Sequence, residues 1–227
     1  MKRKIITTSD GSKTIQIEDW DEQYHSKHGA VQEAYHVFIK HGLSLFDHRK
    51  ISILEIGFGT GLNALITLKE AQKLNLEVAY TGVEAFPVTK EEVAQLDYIK
   101  ELGAESLTAE FEQMHNSPWE RPISLTEKFS LQKQQKDFME IEDSNSYDLV
   151  YFDAFGARVQ PELWTEVLFQ KMYDALSLNG VLVTYAAKGS VRRAMLSVGF
   201  KVERLPGPPG KREMLRATKT ASEQGKG

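Results

Sequence analysis

Four apolar runs in this sequence alternate with stretches whose apolar residues recur at helical spacing. KISILEIGF precedes LNALITLKEAQKL, EVAYTGVEAF precedes VTKEEVAQLDYIKEL, YDLVYFDAF precedes PELWTEVLFQKMYDAL, and GVLVTYAAK precedes SVRRAMLSV. Parallel strands covered by helices on both faces are almost continuously apolar and need a crossover between them. The alternation therefore predicts an α/β fold with a doubly wound, mostly parallel sheet.

Hairpins are predicted at both ends of this alternating region. Near the start, KIITT and KTIQI flank the turn residues SDGS, and a helix is expected over residues 29–41. Near the other end, FKVERL and REMLRAT flank PGPPG, a connection too short for a crossover helix. The second hairpin therefore adds one antiparallel strand to the sheet.

The segment 104–142 has the least regular pattern, and we interpret it as an insertion. A strand is expected within it at Phe129–Gln134, followed by a short turn or helix at DFMEI. The chain of 227 residues is long enough for one well-packed domain. We expect that domain over residues 46–219, with residues 1–45 packed on it as a hairpin and helix extension and residues 220–227 as a disordered tail.

Composition argues against several classes of protein. The chain contains no Cys, which excludes disulfides and thiolate chemistry. The sequence has no apolar stretch of the roughly 20 residues that a bilayer span needs, and the basic start lacks the apolar core of a signal peptide. His25 and His28 form a close pair, but no carboxylate ligands cluster beside them. We expect a soluble, cytoplasmic protein without a metal site.

Charge is distributed unevenly along the chain. The net charge is −4, yet residues 188–219 contain nine basic side chains and only two acidic ones. Such asymmetry suggests that an anionic partner docks on one face, although a solvated basic surface explains the composition equally well.

The segment ILEIGFGTGLNAL places Gly57, Gly59 and Gly61 between a predicted strand and a predicted helix. Glycine allows a tight turn and a close approach of the backbone to a ligand. The dinucleotide fingerprint GxGxxG would require glycine where Leu62 stands, and no P-loop motif is present. Because Glu55 near the turn would repel a phosphate, S-adenosyl-L-methionine fits better than NAD. An NAD-dependent oxidoreductase and a non-catalytic RNA-binding protein are the alternatives.

Acidic residues follow three of the predicted strands. Glu84, Asp137 and Asp153 each stand at a carboxyl end, which is where ligands bind in a doubly wound sheet. We expect Glu55 to face the cofactor's ammonium, Glu84 its ribose hydroxyls and Asp137 its adenine amino group. The full set of expected cofactor contacts is Tyr24, Ser26, Glu55, Gly57, Phe58, Gly59, Thr60, Gly61, Asn63, Glu84 and Asp137.

Several longer motifs together resemble the methyltransferase domain of the MnmC family of tRNA-modifying enzymes. They are LEIGFGTGLNAL, VEAFP, YDLVYFDAF, QPELWTEVLFQKM, KGSVRRAMLSVGF and GPPGKREML, and the resemblance runs from about Tyr24 to Ala217. It implies a class I methyltransferase fold, Rossmann-like with seven strands, and S-adenosyl-L-methionine as methyl donor. The implied acceptor is 5-aminomethyl-(2-thio)uridine at the wobble position of tRNA, and Asp153 matches the family's acidic residue beside the reacting groups.

Bifunctional members of this family carry a flavin oxidoreductase domain after the methyltransferase. This chain resembles the stand-alone form, so we expect neither FAD nor a metal ion, and no obligate protein partner is inferred. The aminomethyl substrate would then come from another enzyme.

Asp153 is expected to capture and orient the substrate ammonium and to accept its proton. Tyr24, Phe58, Phe152 and Phe155 are expected to shield this charge from water. The basic residues expected to contact phosphates of the tRNA anticodon stem-loop are Lys188, Arg192, Arg193, Lys211 and Arg212.

Overall fold

The computed structural model describes residues 2–7, 13–20, 22–23 and 29–221. The strands in chain order are β1 (Arg3–Thr7), β2 (Lys13–Ile17), β3 (Glu22–Gln23), β4 (Lys50–Ile56), β5 (Glu77–Val83), β6 (Ile123–Thr126), β7 (Phe129–Gln134), β8 (Tyr147–Phe152), β9 (Leu176–Thr184), β10 (Lys201–Pro206) and β11 (Glu213–Thr218). The α-helices are α1 (Ala30–Ala34), α2 (Leu62–Lys73), α3 (Lys90–Val93), α4 (Tyr98–Glu101), α5 (Thr108–Asn116), α6 (Glu166–Ala175) and α7 (Gly189–Ser197). Short 3-10 turns lie at Glu18–Trp20, Leu43–Leu45, Glu105–Leu107, Phe138–Glu140 and Pro161–Trp164.

The main sheet has eight strands in the order β10-β11-β9-β8-β4-β5-β7-β6. Strands β7, β5, β4, β8 and β9 are parallel, and the chain reverses its direction of progress across the sheet between β4 and β8. The doubly wound α/β prediction is therefore confirmed. As predicted, β11 lies antiparallel to β9.

The predicted count of seven strands with one antiparallel strand needs a correction. The short segment β6 forms an eighth strand, and its antiparallel pairing with β7 makes it a second antiparallel strand, at the other edge of the sheet from β11. Only two residues separate β6 from β7, so the two strands form a tight hairpin within the segment that the sequence left irregular. Strand β6 has only four residues, too few for its alternation of apolar and polar side chains to be recognised in the sequence.

Helices cover both faces of the sheet. Along β4 successive side chains point to opposite sides, so Ile51 and Ile53 join one apolar core and Leu54 and Ile56 join the other. Helices α1, α2, α4 and α5 pack in the first core, whereas α6 and α7 pack in the second. Glu55 consequently projects towards the α2 side, where it is completely buried.

The N-terminal hairpin is formed by β1 and β2, and the two-residue strand β3 extends it to three strands. Its predicted turn, SDGS, lies outside the described residues. The helix expected over residues 29–41 begins as α1 and then widens into a π-helix at Tyr35–Lys40. Residues 222–227 of the expected tail are also outside the described part of the chain.

The single helix expected over residues 88–102 is instead two short helices, α3 and α4. Thr89 caps α3 through a reciprocal capping box with Glu92. Each half is also held by the hairpin, because Arg3 forms a salt bridge with Glu92 and Lys13 forms one with Asp97. These pairings, 84 and 89 residues apart, have no local signature. Among the described residues, no helix is long and apolar enough to cross a membrane.

Gly82 of β5 leaves the space that the Phe58 ring occupies above the sheet. A Cβ added at Gly82 would lie 2.3 Å from Phe58 Cδ2, so Gly82→Ala must displace the ring and the glycine turn that carries it. We expect this variant to lose about 1–3 kcal/mol of unfolding free energy, the range typical of overpacking. Urea denaturation measures the loss. Gly156→Ala is the control, since its nearest neighbour would be Tyr185 Oη at 3.7 Å; similar losses in both variants would contradict the steric explanation.

Candidate functional site

The glycine turn joins β4 to α2 at the carboxyl edge of the sheet. Gly57, Gly59 and Gly61 have φ values of 89°, 50° and 74°, a region that glycine enters without strain. At Gly57 a Cβ would lie only 2.8 Å from the carbonyl oxygen of Asp153. The prediction that these glycines serve a tight turn is confirmed, and the turn lies directly against the end of β8.

Glu84 follows β5 and faces the same turn. Its Oε2 accepts a hydrogen bond of 3.0 Å from the Gly59 N–H, and its Oε1 accepts one of 2.9 Å from the Phe86 N–H. Burial raises the pKa of the Glu84 carboxyl, whereas these backbone donors and the nearby Arg3 lower it. The carboxylate is therefore fixed across from the glycine turn, and each oxygen has a lone pair left for a further donor.

Phe86 is a candidate functional residue that the sequence reasoning missed. Its side chain is 55% exposed although it stands two residues after the buried Glu84. The hairpin holds this segment in place, because Arg3 Nη2 donates to the Phe86 carbonyl at 2.7 Å and Nη1 donates to the Pro87 carbonyl at 3.2 Å. An exposed ring beside an acidic strand end offers a flat apolar face to a base. The sequence signal that could have identified Phe86 was the presence of an aromatic residue in the VEAFP motif, at the end of a predicted strand.

Asp137 lies at the carboxyl end of β7, on the same edge of the sheet. It is exposed, and its Oδ1 caps the turn Phe138–Glu140 by accepting from the Met139 N–H at 2.8 Å. Thr60, by contrast, is buried within the turn, with its hydroxyl 3.0 Å from the Tyr98 hydroxyl. Asp137 is thus available at the rim, whereas the Thr60 side chain supports the turn from inside.

Asn63, in the first turn of α2, joins two carboxyl groups. Its Nδ2 donates to Glu55 Oε1 at 2.9 Å and to Asp153 Oδ2 at 2.8 Å. The other Glu55 oxygen accepts from the Tyr80 hydroxyl at 2.8 Å. Both Glu55 oxygens therefore have internal partners, and the predicted direct contact between Glu55 and a cofactor ammonium is not supported by this geometry. The Asn63 Oδ1 atom, however, is buried without a hydrogen-bond partner among the described residues.

The two carboxyl groups bound by Asn63 are both hard to ionise. Burial raises the pKa of Glu55 well above its ordinary value, and the nearby Asp153 and Glu84 raise it further. Burial also raises the pKa of Asp153 well above its ordinary value, with a further upward contribution from Glu33, whereas the Asn63 hydrogen bond and Lys211 lower it. Asp153 remains partly exposed, so it is the member of the pair that a ligand can reach.

Two of the aromatic residues expected near Asp153 are packed in the core instead. Phe58 is buried between His115 and Trp119, and the Phe152 ring packs against Trp164 and Phe169. Their assignment to the shielding of a substrate charge was therefore wrong. Phe152 precedes Asp153 at the end of β8 and therefore points to the other face of the sheet, whereas Phe58 is turned from the glycine turn into the core on the α2 side.

Phe155, two residues after Asp153, is placed differently. It is partly exposed, and its ring lies edge-on to Trp20 of the N-terminal extension at a centroid distance of 5.6 Å. Its carbonyl accepts from Trp164 Nε1 at 2.7 Å, which fixes the loop after β8. Phe155 therefore remains a candidate for contact with the acceptor.

The predicted phosphate-binding residues fall into two groups. Lys188 and Arg193 are exposed at the start of α7, which follows β9 on the carboxyl edge of the sheet, and Arg192 is partly buried. Arg212 is exposed in the loop between β10 and β11. Lys211, in the same loop, already forms a salt bridge with Glu33 and lies 3.9 Å from the centre of the Tyr185 ring. We therefore withdraw Lys211 as a free phosphate contact.

Tyr24 and Ser26 lie outside the described residues, as do His25 and His28. Within the ranges that the structure describes, no group of three or more His, Asp or Glu side chains is placed to hold a metal ion.

The glycine turn, the acidic strand ends and the reversal point between β4 and β8 together define a Rossmann-like cofactor-binding enzyme. The chain belongs to the family described as S-adenosyl-L-methionine-dependent methyltransferases, whose model matches residues 105–220. This result identifies the cofactor as S-adenosyl-L-methionine and disfavours the NAD-dependent alternative.

Similar proteins agree with this family. The chain is 28% identical over 231 residues to the tRNA 5-methylaminomethyl-2-thiouridine biosynthesis bifunctional protein MnmC of Hydrogenovibrio crunogenus, covering 94% of this chain and 33% of that protein. The protein of the same name in Idiomarina loihiensis is 30% identical over 213 residues, with coverages of 86% and 35%. The chain thus spans about a third of the length of these curated relatives.

Solved structures agree as well. The crystal structure of MNMC2 from Aquifex aeolicus superposes with a TM-score of 0.75 at 27% identity, covering 97% of this chain and 71% of that one. Spermidine synthase from Thermotoga maritima gives a TM-score of 0.54 at 16% identity, with coverages of 95% and 72%, which shows a shared fold.

Glu55 should make the stability of the protein depend on pH. Because its pKa is raised on folding, the folded protein keeps this proton at pH values where the unfolded chain has lost it. Ionisation then opposes folding, so the unfolding free energy falls as the pH rises above the ordinary carboxyl range, by up to about 1.36 kcal/mol per pH unit for one group. Glu55→Gln keeps an acceptor for Asn63 and offers a donor to the Tyr80 oxygen. We expect it to flatten the decline between about pH 5 and pH 8.

Chemical denaturation across that range measures the effect. Glu77→Gln, at the exposed start of β5, is the matched control and should leave the pH dependence as it is in the parent protein. An unaltered slope in Glu55→Gln would show that another group carries the dependence.

Proposed function

We propose that this protein transfers a methyl group from S-adenosyl-L-methionine to the aminomethyl nitrogen of 5-aminomethyl-(2-thio)uridine at the tRNA wobble position, giving 5-methylaminomethyl-(2-thio)uridine. The observation that carries the proposal is the placement of Asp153. This partly exposed carboxyl, with a raised pKa, lies against the glycine turn, which supports its assignment beside the acceptor amine. The names of the similar proteins support the choice of acceptor, and a cytoplasmic location goes with it.

The residues present fit the cofactor. Gly57 in the glycine turn is partly exposed, Glu84 suits the ribose hydroxyls, and the Phe86 ring offers a face to the adenine. Asp137, exposed at the end of β7, remains the candidate for the adenine amino group. When bound, S-adenosyl-L-methionine supplies an electrophilic methyl group on a sulfonium centre.

Asn63 replaces Glu55 in our assignment of the cofactor's ammonium group. Both Nδ2 hydrogens of Asn63 are directed at carboxyl oxygens, which leaves Oδ1 as a buried acceptor without a partner among the described residues. A buried acceptor without a donor is unfavourable, and an ammonium would satisfy it. Glu55 then acts indirectly, by orienting the Asn63 amide.

The acceptor amine must be neutral before it can attack a methyl group. If its pKa resembles that of lysine, about 10.4, forming the free base at pH 7 requires roughly 4 to 5 kcal/mol. Asp153 can orient the ammonium and take up its proton, and a carboxyl whose pKa is raised is a better base than an ordinary aspartate. Holding the amine in line with the methyl group supplies the remaining advantage, because positioning replaces a bimolecular encounter.

The tRNA is proposed to approach over the start of α7. This helix begins on the same edge of the sheet as the glycine turn, with Lys188 at its N-cap and Arg192 and Arg193 in its first five residues. Helix N-termini and basic side chains both favour phosphate. Together with Arg212 in the neighbouring hairpin loop, they suit the backbone of an unpaired anticodon loop whose target base is turned outwards.

Asp153→Asn tests the reaction and the residue together. Asparagine can still accept the Asn63 hydrogen bond, but it cannot take up a proton. Incubation with labelled S-adenosyl-L-methionine and tRNA lacking only the final methyl, followed by nucleoside mass analysis, should give 5-methylaminomethyl-(2-thio)uridine with the parent enzyme. We expect the variant to lose about 10²- to 10⁴-fold in kcat, the size of a general-base contribution. Calorimetry should find its affinity for S-adenosyl-L-methionine unaltered.

The matched control is Asp148→Asn, which changes the carboxylate at the opposite end of β8, where Asp148 binds Arg49 and the Ser52 N–H. Methyl transfer should persist in this control. Equal losses of turnover and cofactor affinity in Asp153→Asn would overturn the assignment of Asp153. A parent protein that binds both S-adenosyl-L-methionine and the tRNA without forming the product would overturn the proposed function and favour a non-catalytic RNA-binding role.

The double variant Lys188→Ala/Arg193→Ala tests the tRNA surface. Each phosphate contact to single-stranded nucleic acid contributes about 0.7 to the slope of log affinity against log salt concentration, so the slope should become shallower by about 1.4. Filter binding over a series of KCl concentrations measures it. Lys50→Ala/Lys128→Ala removes two exposed charges from the amino ends of β4 and β7 and should leave the slope unaltered. Equal slopes for the two double variants would rule out the α7 surface.

A further inference from the structure

Two charged side chains from distant parts of the chain meet beside Asp153. Lys211, in the loop between β10 and β11, forms a short salt bridge through Nζ with Oε2 of Glu33 in α1, across 178 residues of sequence. Glu33 is buried and Lys211 is about one-third exposed. The same ammonium lies 3.9 Å from the centre of the Tyr185 ring, in a cation–π contact.

The loop that carries Lys211 is held in one conformation. Its Lys211 N–H donates to the Pro208 carbonyl at 2.9 Å, and the Gly207 N–H donates to the Arg212 carbonyl at 3.1 Å. A Cβ at Gly207 would lie 2.4 Å from the Lys211 carbonyl oxygen, so the loop closes tightly on itself. The strand residue just before the loop is anchored as well, because the Pro206 carbonyl is 2.8 Å from His36 Nε2. The position of the Lys211 ammonium is therefore set by the fold.

Tyr185 connects this ammonium to the reacting end of β8. Its hydroxyl donates a hydrogen bond of 2.8 Å to the carbonyl of Ala154, the residue after Asp153. The Lys211 and Glu33 charges both act on the Asp153 carboxyl, the first lowering its pKa and the second raising it. Glu55 and Tyr80 lie behind the Asn63 amide, and the Asp153 carboxyl contributes to raising the pKa of both.

We propose that Glu33 and Lys211 are positioning residues that together set the protonation state of Asp153 during methyl transfer. Glu33 holds the Lys211 ammonium against Tyr185, and Lys211 favours the carboxylate form of Asp153, which is the form that can accept a proton from the substrate ammonium. The substrate nitrogen then gives one proton to an Asp153 oxygen, so that an N–H bond breaks, an O–H bond forms, and the nitrogen is left as a neutral amine with a free lone pair. This inference rests on the proposed function, since it assumes an amine acceptor.

If the salt bridge is purely structural, variants of Glu33 and Lys211 should not alter the titration midpoint of Asp153. If the pair controls Asp153, each variant should shift that midpoint. Removing the cation in Lys211→Met should raise the titration midpoint of Asp153, and removing the anion in Glu33→Gln should lower it, each by roughly one pH unit. Carbon-13 NMR of protein labelled at the aspartate carboxyls, with the Asp153 signal assigned from Asp153→Asn, measures the midpoint without any substrate. The acidic limb of the pH profile of kcat should move in the same direction as the midpoint in each variant.

Two control variants remove the same kinds of charge, one ammonium and one carboxylate, at positions elsewhere in the protein. Lys219→Met removes an ammonium that lies 4.9 Å from the centre of the Tyr173 ring, and Glu203→Gln removes the carboxylate paired with Arg216. Both should leave the Asp153 midpoint unaltered. Lys211→Arg, which restores the positive charge, should return the midpoint to that of the parent protein even if Lys211→Met is unstable.

Midpoints that shift in the same direction, or that stay unaltered in both variants, would overturn the inference. Opposite shifts of the midpoint with a fixed acidic limb would also overturn it, because the pair would then have no part in turnover. Failure of the proposed function is a separate result: the parent enzyme would transfer no methyl group to aminomethyluridine tRNA, while the NMR midpoints would still decide whether Glu33 and Lys211 control Asp153.

Discussion

The parallel pairing of β4 with β8 positions every part of the candidate site. Ile56 pairs with Phe152, and the Asp153 N–H donates to the Ile56 carbonyl at 2.9 Å, so the glycine turn and Asp153 emerge side by side. Because side chains alternate along a strand, a slip of one residue in this register would turn Asp153 to the other face of the sheet and separate it from Asn63. The absence of a side chain at Gly57 is what permits the two chain segments to approach so closely.

Glu84 and Asp153, two of the carboxyl groups of the site, have surroundings that suit different tasks. Glu84 is held by two backbone N–H groups, which favour its charged form and keep it as a hydrogen-bond acceptor. Asp153 receives one side-chain amide and lies near a second carboxylate, so its charged form is much less favoured. A group of the first kind suits the binding of hydroxyls, and one of the second kind suits the exchange of a proton. In the proposed function, recognition of the cofactor and handling of the acceptor are thus divided between the ends of β5 and β8, which lie on either side of β4.

The sequence predicted the sheet, the hairpins and the glycine turn because each has a short-range pattern. It also placed Glu84 and Asp153 at one edge, since the carboxyl ends of parallel strands necessarily lie together. It could not predict the partners of Glu55, because Tyr80 and Asn63 are brought to it by the register of β5 and the start of α2. Nor could it find that Lys211 is already paired with Glu33, or that Phe58 and Phe152 are turned into the core. Such contacts depend on tertiary packing, for which a single sequence has no local signal.

Strand β11 lies between β9 and β10, although it follows both in the chain. The turn after β4, the ends of β5 and β7 and helix α2 all precede residue 140, so the cofactor side of the site is built from chain that leaves the ribosome early. The acceptor side is different, because Glu33 pairs with Lys211, which comes 178 residues later in the chain. Lys211 lies in the loop that leads into β11, the strand that pairs with β9. Synthesis from the N-terminus therefore delivers the residues of the two halves of the site at different times. The residues proposed to bind the methyl donor leave the ribosome before those proposed to receive the amine.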